Sequence, residues 1–449
     1  MSSYRSACIA AAIALLLPGL AHSQGLVVTD HLDLNAFASH QVIHSDAQIP
    51  VGTRITMQNW QKYKSFMSYG MQTLFMRTTH WQMPDDIEMD VGPTTNMPLP
   101  KTYLDDTERY GKQARLVPTA DGSFEIAGYV AGMPFPHPSG PNAGMEILYD
   151  QYYSYIPYLS WTIGYDDPAR GGWNIDRYGN KTQSSAEEIW FKVNHLSEPD
   201  KPKTIPGYER YFMTQNVIVL EPEESKYTNL LQVFSNDPAD LPETYVFVPA
   251  LRRSLRLSSA ARCAPAVGTD FTADDFRGMN IQPPIFRATL LAEEYVIAMT
   301  NQTPAYKLTK NYYQPVFLPK PIVGKWENRP VWVIDVQRVP RLQAGYCYSH
   351  RIAYIDRQTL QVLYADLWDS NGKFYKSNEA EFEPMKHPEG GVVLGIGGPG
   401  NGKFTMYDFQ NGHASHALQF EAKIDKEVAK QYEDFNRYGT PAGMLQVMQ

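Results

Sequence analysis

What most limits the folding of this chain is a long succession of short segments in which apolar and polar residues alternate, each closed by turn residues. In the middle of the chain they cover 152–165, 189–194, 209–220, 226–236 and 244–257. A second set covers 331–338, 346–356, 360–369 and 373–382, followed by 392–396 and 403–409. Between them lie turn signals such as Arg177-Tyr178-Gly179-Asn180 and Asn236-Asp237-Pro238, and Asn371 followed by Gly372 is a strong hairpin signal because both residues accept positive φ. The gaps are too short for crossover helices, so the strands are predicted to run antiparallel. The 29 Tyr, 19 Phe and 8 Trp suit wide apolar sheet surfaces. The expected fold class is therefore α+β and mainly β, one large antiparallel sheet with helices laid against it.

No Gly/Ser-rich linker divides the chain, which predicts a single domain over 24–449 despite a length of 449 residues. Residues 1–23 have the pattern of a secretory signal. Arg5 supplies the positive charge, 9–20 the apolar run, and Ala21-His22-Ser23 a small-x-small cleavage site. The run is broken by Pro18 and Gly19 and is too short for an anchor, so cleavage near Ser23 and a periplasmic location are expected. Nothing after Leu20 is long and apolar enough to span a bilayer as a helix. The net charge of −8 argues against nucleic acid as a partner and against adhesion to anionic lipid headgroups.

Over 58–78, Trp60, Tyr63, Phe66, Met67, Met71, Leu74 and Phe75 recur at spacings of three and four, which predicts an amphipathic helix. Two readings compete for its face. Met adapts to varied ligands, so Trp60, Tyr63, Met67, Met71 and Phe75 are candidates to line a groove for a hydrophobic molecule. The same pattern also describes an ordinary core helix. At the other end of the chain, Ile424, Val428, Tyr432 and Phe435 predict a terminal helix.

The stretch 243–275 gathers the chain's chemistry. A strand over 244–257 carries Arg252, Arg253 and Arg256, candidates for contact with a protein partner or with a ligand's polar end. With Asp270, Asp274, Asp275, Asp335 and Asp356 they form either a charged site or a structural ion-pair network. Thr272 before Asp274 and Asp275 is a plausible helix start. Cys263 and Cys347 are the only cysteines beyond the signal, and in an oxidising compartment two such thiols predict a disulfide.

Several motifs are set aside. Gly397 to Lys403 satisfies G-x-x-x-x-G-K, but Phe404 stands where Ser or Thr should hold magnesium, and 404–409 alternates like a strand. His413 with His416, and His40 with His44, lack the Cys or Glu companions of a metal site. Ser370 to Lys373 matches S-x-x-K but spans a hairpin, and no G-x-S-x-G elbow occurs. No cofactor, metal or catalytic residue is expected.

The order FVPALRRSLRL, ARC, TDFTADDF, then RPVWVIDVQRVP and YCYSHRIAYIDRQTLQVLYADLWDSNGKFYK, resembles a bacterial exported family catalogued as domain of unknown function thirteen twenty-nine. The resemblance covers nearly the whole mature chain. It implies a half-barrel similar to the lipoprotein-sorting proteins LolA and LolB, a curved sheet with helices on its concave face and an apolar groove between them. It also implies a link to envelope export machinery of the transporter type. The function expected is a periplasmic binder of a hydrophobic small molecule or acyl chain, active in lipid or lipoprotein trafficking. The second reading is a scaffold that docks an outer-membrane partner.

Overall fold

A computed structural model of the chain describes residues 26, 28–31, 41–164, 173–258, 262–395 and 400–446. Residues 1–23, expected to be a signal, His40 and the loop glycines Gly397 and Gly398 lie outside the described residues. Sixteen strands form one sheet. In chain order they are β1 (Ile43–His44), β2 (Leu159–Gly164), β3 (Trp173–Ile175), β4 (Lys181–Gln183), β5 (Ser185–Lys192), β6 (Tyr211–Glu221), β7 (Asn229–Ser235) and β8 (Glu243–Val248). Then come β9 (Arg253–Arg256), β10 (Phe286–Ala298), β11 (Glu327–Arg338), β12 (His350–Asp356), β13 (Val362–Trp368), β14 (Phe374–Glu383), β15 (Asn401–Asp408) and β16 (His413–Ile424).

Across the sheet the order is β1-β10-β11-β12-β13-β14-β15-β16-β2-β5-β6-β7-β8-β9, with β3 joined to β16 and β4 to β3. Strands β1 and β9 do not pair, so the sheet stays open, as a half-barrel does. Neighbours are antiparallel except β1 with β10, a two-residue parallel pair. The middle set of segments and the second set are thus one continuous sheet, joined where β16 meets β2 in antiparallel register.

Side-chain alternation gives the sheet two faces, both covered over most of its extent. On β11, Val331 and Val333 belong to one apolar cluster and Trp332, Ile334 and Val336 to another. The first face carries α1 (Tyr69–Met76). The second carries α3 (Ala143–Tyr152) and, in the same cluster, Tyr103 from α2 (Lys101–Tyr110). Close approach is built in by glycine: a Cβ on Gly70 of α1 would lie 2.0 Å from Ser377 Oγ, and one on Gly144 of α3 would lie 2.4 Å from Ala288 O. Only a residue without Cβ lets these helices seat so deeply.

The helix expected over 58–78 is shorter than its periodicity suggests. Trp60–Lys62 and Lys64–Phe66 are separate 3-10 turns, and α1 starts only after Ser68, whose side chain accepts from Met71 N. Asp366 of β13 fixes that start by accepting from Tyr69 N at 2.7 Å and Gly70 N at 3.0 Å, a carboxylate at the positive helix end. At the far end, Ile424 closes a strand, and the expected terminal helix is replaced by 3-10 turns and a single turn over Phe435–Tyr438. Its apolar stripe is used nonetheless, since Val428, Phe435 and Tyr438 cover Ile189, Phe191 and Ile218 of β5 and β6.

Candidate functional site

The stretch 243–275 divides into a hairpin and a strap. β8 turns through Pro249–Leu251 into β9, so the single strand expected over 244–257 is two. Arg252 sits at the turn with φ 47°, Arg253 is exposed, and Arg256 pairs with Glu243 at 2.9 Å. This hairpin is the open edge of the sheet, and a row of charge there deters pairing with other chains.

The acidic residues grouped with these arginines lie elsewhere, each with another partner. Asp356 holds Arg329 at 2.6 Å and Asp335 holds His350 at 2.9 Å. Asp275 takes Arg351 at 2.9 Å, and Asp274 takes Arg262. They form a buried structural network rather than one charged site.

After the hairpin the chain returns across the second face as a strap, described over 262–276. Thr272 does not start a helix: its N and Oγ1 both donate to Asp275 Oδ2 at 2.8 Å, closing a tight turn. Five other residue pairs fasten the strap. Cys263 bonds Cys347 with a Cα separation of 5.6 Å. Tyr346 and Tyr348 donate to Asp274 and Asp275, each at 2.8 Å. Ser415 receives from Asp270 N and donates to its carboxylate, both at 2.7 Å. Phe271 meets Phe404 edge-on at 4.9 Å.

Between strap and sheet lies a cleft of two adjoining lobes. The inner lobe has Ala186, Glu188, Val217, Val219 and Ala417 on its sheet side and Phe271 and Phe276 on the strap side, and has a cavity volume of about 130 Å³. The outer lobe has Leu230, Gln232, Thr244 and Val246 below and Arg262, Ala264 and Pro265 above, and has a cavity volume of about 190 Å³. Ala266 lines both lobes, and Val217 of the inner one pairs with Leu230 of the outer one. Each lobe alone is smaller than the roughly 300–1,000 Å³ usual for drug-sized ligands, and only the two together reach the lower end of that range.

The polar groups of this cleft are few. Glu188 is buried in the floor, accepts from Gln419 Nε2 at 3.0 Å and Trp190 Nε1 at 3.2 Å, and is pushed up to about 7 by burial. Gln215 stands beside it on β6 and pairs across the strands with Gln232 on β7. Gln215 also hydrogen-bonds Glu188 through its side chain, while Oε1 of Gln215 and Oε1 of Gln232 are buried without a hydrogen-bond partner. Lys192 shares the β5 face but stands beyond Trp190 and does not line the cleft. Burial lowers it to about 8.

The five side chains read from sequence as a groove lining come together on the first face. Trp60 stacks on Phe75 at 5.2 Å, Trp60, Met67, Met71 and Phe75 are buried in the cluster that includes Val333 and Tyr354, and Tyr63 packs against it half-exposed. None of them lines the cleft. The cleft residues gave no sequence signal of their own, because β5 and β6 are buried on both faces and their polar members read as solvent-facing.

The set-aside motifs fit this picture. Phe404 lies in β15 and Lys403 is buried, paired with Glu381 at 2.8 Å. His413 is exposed and His416 is buried against Thr405. Among the described residues no group of three or more His, Cys, Asp or Glu is placed to hold a metal ion, and no helix is long and apolar enough to cross a membrane.

The sequence profile of the family described as protein of unknown function, DUF1329, matches residues 54–442. No curated protein sequence matches. Among solved structures, this chain is similar to a DUF1329 family protein from Desulfovibrio piger, at 11% identity and a TM-score of 0.46, over 67% of this chain and 100% of that one. It is also similar to a LolA superfamily protein from Nitrosomonas europaea, at 10% identity and a TM-score of 0.35, over 65% of this chain and 97% of that one.

Proposed function

Since the chain belongs to the DUF1329 family, whose description names no activity, we propose its function from the cleft itself: it binds a hydrophobic small molecule or acyl chain under the strap. The observation that carries this reading is the pair of adjoining lobes floored by Ala186, Val217, Val219, Leu230 and Val246 and roofed by Phe271 and Phe276. Burying an acyl chain there contributes about 0.8 kcal/mol per CH₂. Export by the N-terminal signal would place this binder in the periplasm of a Gram-negative envelope, where such a carrier serves lipid or lipoprotein trafficking between membranes or with a transporter.

Titration of the full chain with the uncharged dye Nile red tests the proposal. Saturable binding is expected. Ala186→Phe should fill the inner lobe and weaken it about tenfold or more. Met71→Ala, in the core of the first face, should instead cost about 2–5 kcal/mol of stability and leave affinity per folded molecule unchanged. If the dye does not bind, or if Met71→Ala abolishes binding while Ala186→Phe has no effect, the cleft is not the site, and the scaffold reading takes its place.

A further inference from the structure

Charge is spread unevenly along the cleft, and this fixes which end of a ligand lies where. Among the described residues that line the outer lobe, Arg262 is the one charged group, and Thr228, Gln232, Thr244 and Ser258 supply neutral polar atoms. The Arg262 side chain is 10% exposed. Its Nη2 donates to Asp274, but its Nε is buried without a hydrogen-bond partner. A guanidinium carries its donors in a fixed fork and has no acceptor. A buried donor left unmade costs free energy that an acceptor on a guest recovers.

The charge around Arg262 is unmatched as well. Arg338 of β11 lies 4.8 Å from the centre of the Tyr346 ring, and its Nε too is buried without a partner. Burial and the nearby Arg262 charge push Arg338 below its ordinary value, and Asp274 opposes them only in part. Asp274 is already taken by Arg262 Nη2 and by the Tyr346 hydroxyl, the latter at 2.8 Å. Two guanidiniums thus share one carboxylate, and one positive charge is left over beside the outer lobe.

The inner lobe has the opposite character. Its chargeable lining residues are Glu188 and His416. His416 packs against Phe317 at 4.9 Å and is held neutral by burial, and Glu188 repels an anion whenever it is ionised. Val217, Val219, Phe271 and Phe276 give the rest of this lobe an apolar wall. The combined volume of the two lobes suits one slender chain better than a lipid with several.

We propose that the cleft takes a single-chain monocarboxylate, the fatty-acid class, with its carboxylate on Arg262 in the outer lobe and its chain running past Ala266 into the inner lobe. This rests on the binding function proposed above and names the ligand class. The carboxylate accepts from Arg262 Nε and balances the charge that Arg262 and Arg338 hold in excess of Asp274. Hydrogen bonds between ions of opposite sign are the strong ones. An ammonium head would meet Arg262 as a like charge, and a neutral head would leave the excess charge unanswered.

The test is displacement of bound Nile red from the full chain, near neutral pH, by decanoate, decanol and decylammonium, which share one chain length. Decanoate should displace the dye at about tenfold lower concentration than either of the others, the worth of one charge-assisted hydrogen bond. Arg262→Gln removes the donor, and Thr244→Glu sets a fixed carboxylate on the floor of the outer lobe. In each variant the ratio of decanoate to decanol affinity should fall to about one. Arg262→Gln also deprives Asp274 of its partner and should melt below the parent, but Thr244→Glu leaves that ion pair in place, so a loss of the ratio in both is not a folding effect. Equal displacement by all three ligands, a preference for decanol or decylammonium, or a preference for decanoate that survives either substitution overturns the inference, while dye binding still upholds the cleft. Absence of dye binding by the parent chain overturns both.

Discussion

Glu188 ties the cleft's chemistry to the protein's stability at the level of a single side chain. Burial raises its carboxyl to about 7 from an ordinary 4.5. Below about pH 4.5 the group is protonated folded or unfolded and contributes nothing. Between about 4.5 and 7 the folded state keeps a proton that the unfolded state has released, so stability falls as pH rises, by up to about 3 kcal/mol in all. Glu188→Gln should therefore match the parent at about pH 4 and exceed it by roughly 1–2 kcal/mol at about pH 8, after allowance for one lost acceptor. Urea melts of both proteins at the two pH values check this, and a difference that does not change with pH would refute it. Residues of this kind were the least legible in the sequence. Polar residues in alternating segments read as solvent-facing, and only the cover laid on both faces of β5 and β6 turns Glu188, Gln215 and Gln232 inward. Trp60, Met67, Met71 and Phe75 were legible as a buried set, but core and ligand lining share one chemistry, so spacing could not say which they were.

The strap is the element on which the cleft depends, since it supplies the whole roof. Its disulfide closes a loop with a sequence separation of 84, and the chain-entropy argument assigns such a cross-link about 3–5 kcal/mol. The double variant Cys263→Ser, Cys347→Ser should melt well below the oxidised parent and bind Nile red more weakly, because Ala264 and Pro265 beside Cys263 help form the roof. Free-thiol labelling of the unfolded, unreduced parent gives the companion reading: two reactive thiols would mean the bond does not form in the native protein. The pairing was legible from cysteine count and compartment alone. Other elements were not. Phe286–Ala298, among the longest strands, contains Leu290-Leu291-Ala292-Glu293-Glu294, a run that favours helix by propensity and breaks alternation at the bulge between Leu290 and Ala292. Twelve pairings with β11 decide its state instead, an instance of tertiary context overriding local preference. Helical spacing over 58–78 overstated α1 for the converse reason. Ser68 and Asp366 set where the helix begins, and the sequence shows nothing of Asp366, nearly three hundred residues away.

For the whole molecule, the number of carboxyl groups taken out of water decides how stability responds to pH. Burial pushes Glu188 and Glu294 up to about 7, and Asp425, beside Glu198, to about 7 as well. Asp366 rises to about 6, and Asp150 well above its usual range, for the same cause. Each is a group whose folded value is raised, so each removes stability as pH climbs from its unfolded to its folded value. Buried histidines act the other way: His195 is held down to about 4, and His416 and His387 are lowered, so they add stability up to about pH 6.5 and nothing beyond. Lys192, lowered to about 8, begins to add stability only above about pH 8. In the window from about 6.5 to 8 the carboxyls act almost alone, and three groups near 7 lose about 2 kcal/mol together. The melting temperature of the oxidised protein should pass its maximum in the mildly acidic range and fall by a few degrees between about pH 6.5 and 8. Calorimetry across that range decides the matter. A flat or rising profile would mean that enough water reaches Glu188, Glu294 and Asp425 to solvate their charged forms, and for Glu188 that would also make the cleft floor less dry than an apolar ligand requires.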